Sequence, residues 1–294
     1  MVPTGPYVRP GVELISWWTG DEVPFVDFQG VNPVASFAGV SHVDGLLGKA
    51  FGFGGSNAQI EIDDSSTLQP TVFTVDLWAE RQGPGANSDN TYGNMLVQKA
   101  IDDAALNGPL WSYFVSWRAN GHIAASVYFD NDPTSVNSAV RIVSTHSFLD
   151  TPPIFIALTV DGAADAHVVT LYVNGEVEGT FDAVGLGSVV YGTGSTVIGA
   201  NYRAARNANF PRIFQGILDE VEIFSTALTQ AEIQAIYAGG KCKTDNEAPI
   251  VGSVTGARST RAAPSRPPCL SPTTTQIRGP LPRITVTEPR KVPR

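Results

Sequence analysis

Apolar and polar residues alternate along most of this chain, in short runs bounded by Gly, Pro, Asn and Asp. That is the signature of half-buried strands. In 71–80, Val72, Thr74, Asp76 and Trp78 fall on one side, and Phe73, Val75, Leu77 and Ala79 on the other. Further strands are predicted at 12–18, 49–55, 58–63, 94–100, 139–144, 154–162 and 195–200, with a long loop between the first two. Residues 110–129 and 168–181 read as hairpins, because Asn120-Gly121 and Asn174-Gly175 favour a type I′ turn between alternating runs. The segment 214–240 differs, since a strand runs into a helix. On the strand Ile217, Asp219, Val221 and Ile223 share one face, and Leu218, Glu220, Glu222 and Phe224 the other. Thr229 and Glu232 stand at capping-box spacing, Ile233, Ile236 and Tyr237 form the apolar stripe, and Gly239-Gly240 supplies the stop. Many short strands and one terminal helix predict an all-β, two-sheet antiparallel sandwich.

Charge divides the 294 residues unevenly. Residues 1–248 carry 11 Lys/Arg against 27 Asp/Glu, net −16, and residues 249–294 carry 8 against one, net +7. The acidic body argues against nucleic acid or an anionic membrane as partner and suits divalent cations. The basic stretch is rich in Pro, Ser, Thr and Arg, without aromatics or a sustained apolar period. It cannot bury enough surface to offset its ordering entropy, so a disordered tail is predicted for 244–294. The domain itself is predicted at 12–243, preceded by an N-terminal arm at 1–11. No run of apolar residues is long enough for a membrane span, and the first residues do not read as a signal peptide. The beginning and end are expected to belong to a longer or frame-shifted product. Cys242 and Cys269 have no metal-binding spacing.

The terminal FQGILDEVEIFSTALTQAEIQAIYAGG, residues 214–240, resembles the closing "GxIDEVRIYxRALSxxEIxxLYxxG" of laminin G-like and pentraxin-like jelly-roll domains. These belong to the concanavalin A-like lectin and glucanase superfamily. WWTGDE at 17–22 is similar to that family's "WWPGDG" opening, and 48–80 to its "GxAFxFDGxxDYVEIPDSxSLxPxxFTISxWV" segment. With LYVNGE at 171–176 and STVIGA at 195–200, the resemblance spans roughly 12–243. It implies a jelly-roll sandwich and leaves function open, because one fold hosts many chemistries. It also implies a Cys before the first strand as partner of Cys242, and the arm has none.

The resemblance implies one structural Ca²⁺, held by Asp21 (with Asp27 as rival), a backbone oxygen near Gly55 or Ser56, and Asp219. Ca²⁺ takes six to eight oxygens in irregular geometry. The strand pattern adds that Asp219 shares a face with Val221 and Ile223, where a bare carboxylate is costly; the alternative is backbone hydrogen bonds at the sheet margin. The family's "FDG" Asp is Gly54 here. Sugar binding needs an aromatic platform beside amide and backbone groups. Asn201, Tyr202 and Arg203 are the candidates, with 87–92 a second region, while the five Trp residues are expected in or beside the core. Retaining glucanases of the superfamily place two carboxyls on one strand face, about 5–5.5 Å apart. Glu61 and Asp63 begin such a pattern, but Ser65 and Ser66 stand where the next Glu is required. His42, His122, His146 and His167 are expected at the surface, without a nucleophile elbow.

The expectation is a non-catalytic, calcium-stabilised module binding carbohydrate, extracellular matrix or a cell-surface glycan, in an extracellular or cell-surface multidomain protein. A glycoside hydrolase or polysaccharide lyase of the same superfamily, and a spacer without a specific ligand, are the alternatives.

Overall fold

The computed structural model describes residues 13–102, 111–130, 139–202 and 211–239. The predicted arm, the tail, both cysteines and Arg203 lie outside the described residues. The first strands are β1 (Leu14–Trp18), β2 (Val34–Ala38), β3 (Val40–Asp44), β4 (Lys49–Gly54), β5 (Gln59–Ile62), β6 (Phe73–Arg81) and β7 (Asn94–Ala100). They are followed by β8 (Trp111–Trp117), β9 (His122–Tyr128), β10 (Ala139–Ser147), β11 (Ile154–Asp161), β12 (Ala166–Val173), β13 (Glu176–Val184), β14 (Thr196–Ile198) and β15 (Gln215–Phe224). One helix, α1 (Gln230–Gly239), closes the domain.

The strands form two antiparallel sheets. One has eight strands in the order β13-β12-β11-β6-β15-β4-β3, with β1 also paired to β15; the other has seven, β10-β9-β8-β7-β14-β5-β2. The predicted sandwich is therefore present, with its core between the sheets. Phe73, Val75, Leu77 and Ala79 of β6 face Val115 and Tyr113 of β8, Val127 of β9 and Ile60 and Ile62 of β5 in one buried cluster. Each such large side chain contributes about 1.5–3 kcal/mol by leaving water.

One patch of the outer face of the eight-stranded sheet, on β6, β11 and β12, is covered by α1. Ile233 and Ile236 pack on Trp78, Phe155, Ala157 and Tyr172, and the Tyr237 ring stacks on Trp78 at 5.6 Å. The predicted capping box starts the helix: Thr229 N–H donates to Glu232 Oε2 at 2.8 Å, and Glu232 N–H to Thr229 Oγ1 at 3.3 Å.

Three local expectations are corrected. The long loop after β1 contains β2 and β3, whose residues are mostly exposed. They are edge strands, and without a buried face they have no apolar alternation to read. The 118–121 turn is not type I′: only Gly121 has positive φ, at 87°, and its N–H donates to Arg118 O at 2.9 Å. At 174–175 both residues are left-handed, φ 54° and 84°, as that turn type requires. The alternation of β15 also breaks. Its register shifts between Asp219 and Glu222, with Glu220 at φ 52°. The β-bulge re-aims the strand, so Leu218, Val221 and Ile223 enter the core together and Asp219 is turned to the outer side. Expecting Asp219 beside Val221 and Ile223 assumed an unbroken period.

Candidate functional site

A single cross-strand row spans the whole seven-stranded sheet. Ser36, Glu61, Val197, Gln98, Phe114, Ser126 and Arg141 stand opposite one another in register on β2, β5, β14, β7, β8, β9 and β10. Their neighbours Ile60, Ile62, Tyr113, Val115, Ala125, Val127, Val140 and Ile142 enter the core. Alternation therefore turns the row outward. The middle of the row, Val197, Gln98, Phe114 and Ser126, is itself covered by loops.

Half-buried residues roof the middle of this row. Trp111 meets Phe114 edge to face at 5.1 Å and donates its Nε1–H to Ser126 Oγ at 3.2 Å. Tyr92, from the loop before β7, meets Trp111 at 5.7 Å and Phe114 at 6.4 Å. The Arg141 and Arg212 guanidiniums lie over the Tyr92 ring, 4.4 and 4.6 Å from its centre. Arg212 also pairs with Asp89 at 2.7 Å. Burial works to raise the Asp89 carboxyl, but N–H donation from Tyr92, Gly93 and Thr91 and the Arg212 contact outweigh it, and its pKa falls to about 2. The 89–93 loop is thus held by one anchored carboxylate, which fixes the Tyr92 ring.

Of the predicted ligand residues, Tyr202 lies on the same face. Tyr202 N–H donates to Gln98 Oε1 at 2.7 Å and its hydroxyl to Asp102 Oδ2 at 3.2 Å. Asn201 precedes it, half-buried. Four of the five Trp residues are buried as expected, and Trp111 is the exception. Its place at the start of β8, where the pairing with β7 shifts between Lys99 and Ala100, carried no signal in a plain alternation pattern.

The structure does not gather the expected metal ligands into one site. Asp27 is 5% exposed, and its carboxylate accepts four backbone N–H groups, from Trp17, Gln29, Val31 and Asn32, at 2.8–3.1 Å. That acceptance organises the loop after β1 and uses the carboxylate fully. Gly55 and Ser56 follow β4 at the end next to Gln215, whereas Asp219 lies past the Leu218–Phe51 pair at the other end. At about 3.4 Å per residue this separates them by about 15 Å. Asp219 is 1% exposed and accepts from Leu47 N–H at 3.0 Å. It lines a pocket of about 140 Å³ with Asp44, Glu80, Leu46 and Trp78. Asp21 approaches the same end of β4, accepting Lys49 N–H at 2.7 Å. Among the described residues no three His, Cys, Asp or Glu side chains are arranged to hold a metal. A cation there would rely on Asp219, Asp21 and carbonyls of the 45–48 turn, not on Asp27, Gly55 or Ser56.

Glu61 is the only acidic member of the row, and its Oε1 accepts from Ser195 Oγ at 2.8 Å. Asp63 is exposed beyond the end of β5. Of the histidines, His167 departs from expectation. It is 1% exposed, packs on Phe129 at 5.5 Å, and lies with Nδ1 3.1 Å from Asp161 O. No described helix is long and apolar enough to cross a membrane.

Among solved structures, the fold is similar to the binding domain of Paraclostridial Mosquitocidal Protein 1, with TM-score 0.57 and 16% identity over 76% of this chain and 52% of that one. Domain 4 of AbnA, a GH43 extracellular arabinanase from Geobacillus stearothermophilus in complex with arabinotriose, gives TM-score 0.56 and 17% identity over 76% of this chain and 98% of that domain. The Botulinum Neurotoxin Type G receptor binding domain gives 0.54 and 14% over 76% of this chain and 51% of that one. The chain thus spans about half the length of the two toxin domains. No curated protein matches it. Residues 53–234 match the laminin G form of the concanavalin A-like lectin/glucanases superfamily. With that match covering most of the sandwich, the chain belongs to this superfamily.

Proposed function

We propose that this domain is a non-catalytic carbohydrate-binding module of an extracellular or cell-surface protein, its ligand lying across Trp111, Tyr92 and Tyr202. The observation that carries this reading is the half-buried Trp111, held by Phe114 and Ser126 over the outward row of the seven-stranded sheet. A ring fixed in that way offers a sugar an apolar face at low conformational cost. The arabinanase domain, which matches over nearly its full length and whose structure is a complex with arabinotriose, supports a sugar ligand. The toxin neighbours, described as binding domains, support a module without chemistry of its own. On the row, Glu61 has no second carboxylate at glucanase spacing.

The proposal includes a structural Ca²⁺ at the Asp219 end of β4, supplied with oxygens by Asp219, Asp21 and the adjacent turn. The ion's contribution there is to tie the loop after β1 to the last strand. Retention of the protein on immobilised polysaccharides, compared with Trp111→Ala, tests the binding assignment. Retention equal in both proteins would remove Trp111 from the site.

A further inference from the structure

We propose that the sugar recognised at this site is acidic: a glycan carrying carboxylate or sulfate groups, whose anion is taken by Arg141. The inference rests on the carbohydrate-binding reading above and narrows it to a ligand class.

Arg141 and Arg212 make the same contact with Tyr92 and differ in everything else. Arg212 is neutralised by Asp89, whose carboxylate is tied to the loop backbone. It is a structural brace. Arg141 is exposed on the edge strand of the sheet and makes no ion pair among the described residues. Its guanidinium is steered by the Tyr92 ring to the rim of the Trp111 roof, and a planar fork so held is suited to an oxyanion with two acceptor oxygens. Toward the other end of the row Glu61 on β5 places negative charge, which disfavours an anion on that side. A ligand crossing the sheet would place its acidic group toward β10 and its neutral rings toward β14.

Net charge makes this discriminating. The body carries net −16 over residues 1–248, so it repels a polyanion everywhere except where cationic charge is concentrated. Preference for an acidic polymer must then come from Arg141, from other cationic side chains of the body, or from the basic residues 249–294. Only one of these depends on Arg141.

The test uses the full chain and Arg141→Gln in affinity electrophoresis through dextran, dextran sulfate, galactan and polygalacturonate, with thermal melting to confirm folding. Sulfate and carboxylate polymers separate the two sources of the anion. The expected result is stronger retention by at least one acidic polymer than by its neutral counterpart, falling about tenfold or more in Arg141→Gln with the melting curve preserved. Retention by acidic polymers that Arg141→Gln leaves intact would overturn the inference and assign that binding to other cationic residues. Retention by neutral polymers alone would also overturn it, while leaving the carbohydrate-binding reading standing. Retention by none would overturn both.

Discussion

Arg141 on the edge strand β10 and Tyr92 before β7 meet at 4.4 Å, guanidinium over ring, across two intervening strands. With Arg212 at 4.6 Å, the ring is a clamp point for the whole outer face of the seven-stranded sheet. Tyr92→Leu keeps apolar bulk and removes the π system. Each contact is worth about 0.5–1 kcal/mol at an exposed site, so a loss of about 1–2 kcal/mol is expected. A urea melt of the variant checks it, and an unchanged midpoint would show that the guanidiniums do not brace the loop.

Asp89 sets an acid limit on that brace. Its folded pKa of about 2 lies below the ordinary value near 4. A depressed pKa stabilises the fold above the unfolded value, and that contribution is lost as pH falls from about 4 toward 2. Asp89→Asn should therefore lose stability at neutral pH and show a flatter dependence across that window, read by urea melts from pH 6 to 2. The same slope in both proteins would contradict the role given to Asp89.

Lys99 is completely buried, with Nζ 2.6 Å from Asp64 and in contact with Gly194 O. Burial depresses the Lys99 ammonium, and Asp64 acts against that. Asp64→Asn leaves the ammonium facing no charge and should cost about 3 kcal/mol, whereas Lys99→Met should cost less, since replacing a buried ion by an apolar chain is often nearly neutral. The reverse order in denaturant midpoints would show that the pair itself carries the stability.

Asp27 and Asp219 separate loop order from cation binding. Asp27→Ala strips acceptors from four backbone N–H groups and should destabilise by about 2 kcal/mol or more. It should leave any thermal shift with Ca²⁺ in place. Asp219→Asn should remove that shift, which for the wild type is about 2.7 kcal/mol at a hundredfold excess over Kd. A Ca²⁺ response that survives in Asp219→Asn would move the ion elsewhere.

The sandwich was legible because its strands alternate cleanly: the β6 faces predicted from 71–80 are the faces observed. The α1 cap was legible because a Thr and a Glu three residues apart have one obvious use. What alternation missed is where it fails. Edge strands β2 and β3 bury no face, and the bulge at Glu220 reverses which way Asp219 points. The proposed site was legible only in part. Tyr202 and Tyr92 of the proposed surface fall within the two candidate regions, 201–203 and 87–92, but Trp111 and Arg141 join them only through the pairing of β7 to β10, a register that no single segment encodes.

The central claim is that the surface formed by Trp111, Tyr92 and Tyr202 over the seven-stranded sheet binds sugar. Titration calorimetry of the wild-type chain and of Trp111→Ala, against whichever polysaccharide retains the wild type, tests it most directly. The account predicts saturable binding by the wild type and a loss of about tenfold or more in the variant, at an unchanged melting temperature. Equal affinity in the two proteins, or no heat with any polysaccharide, would contradict it.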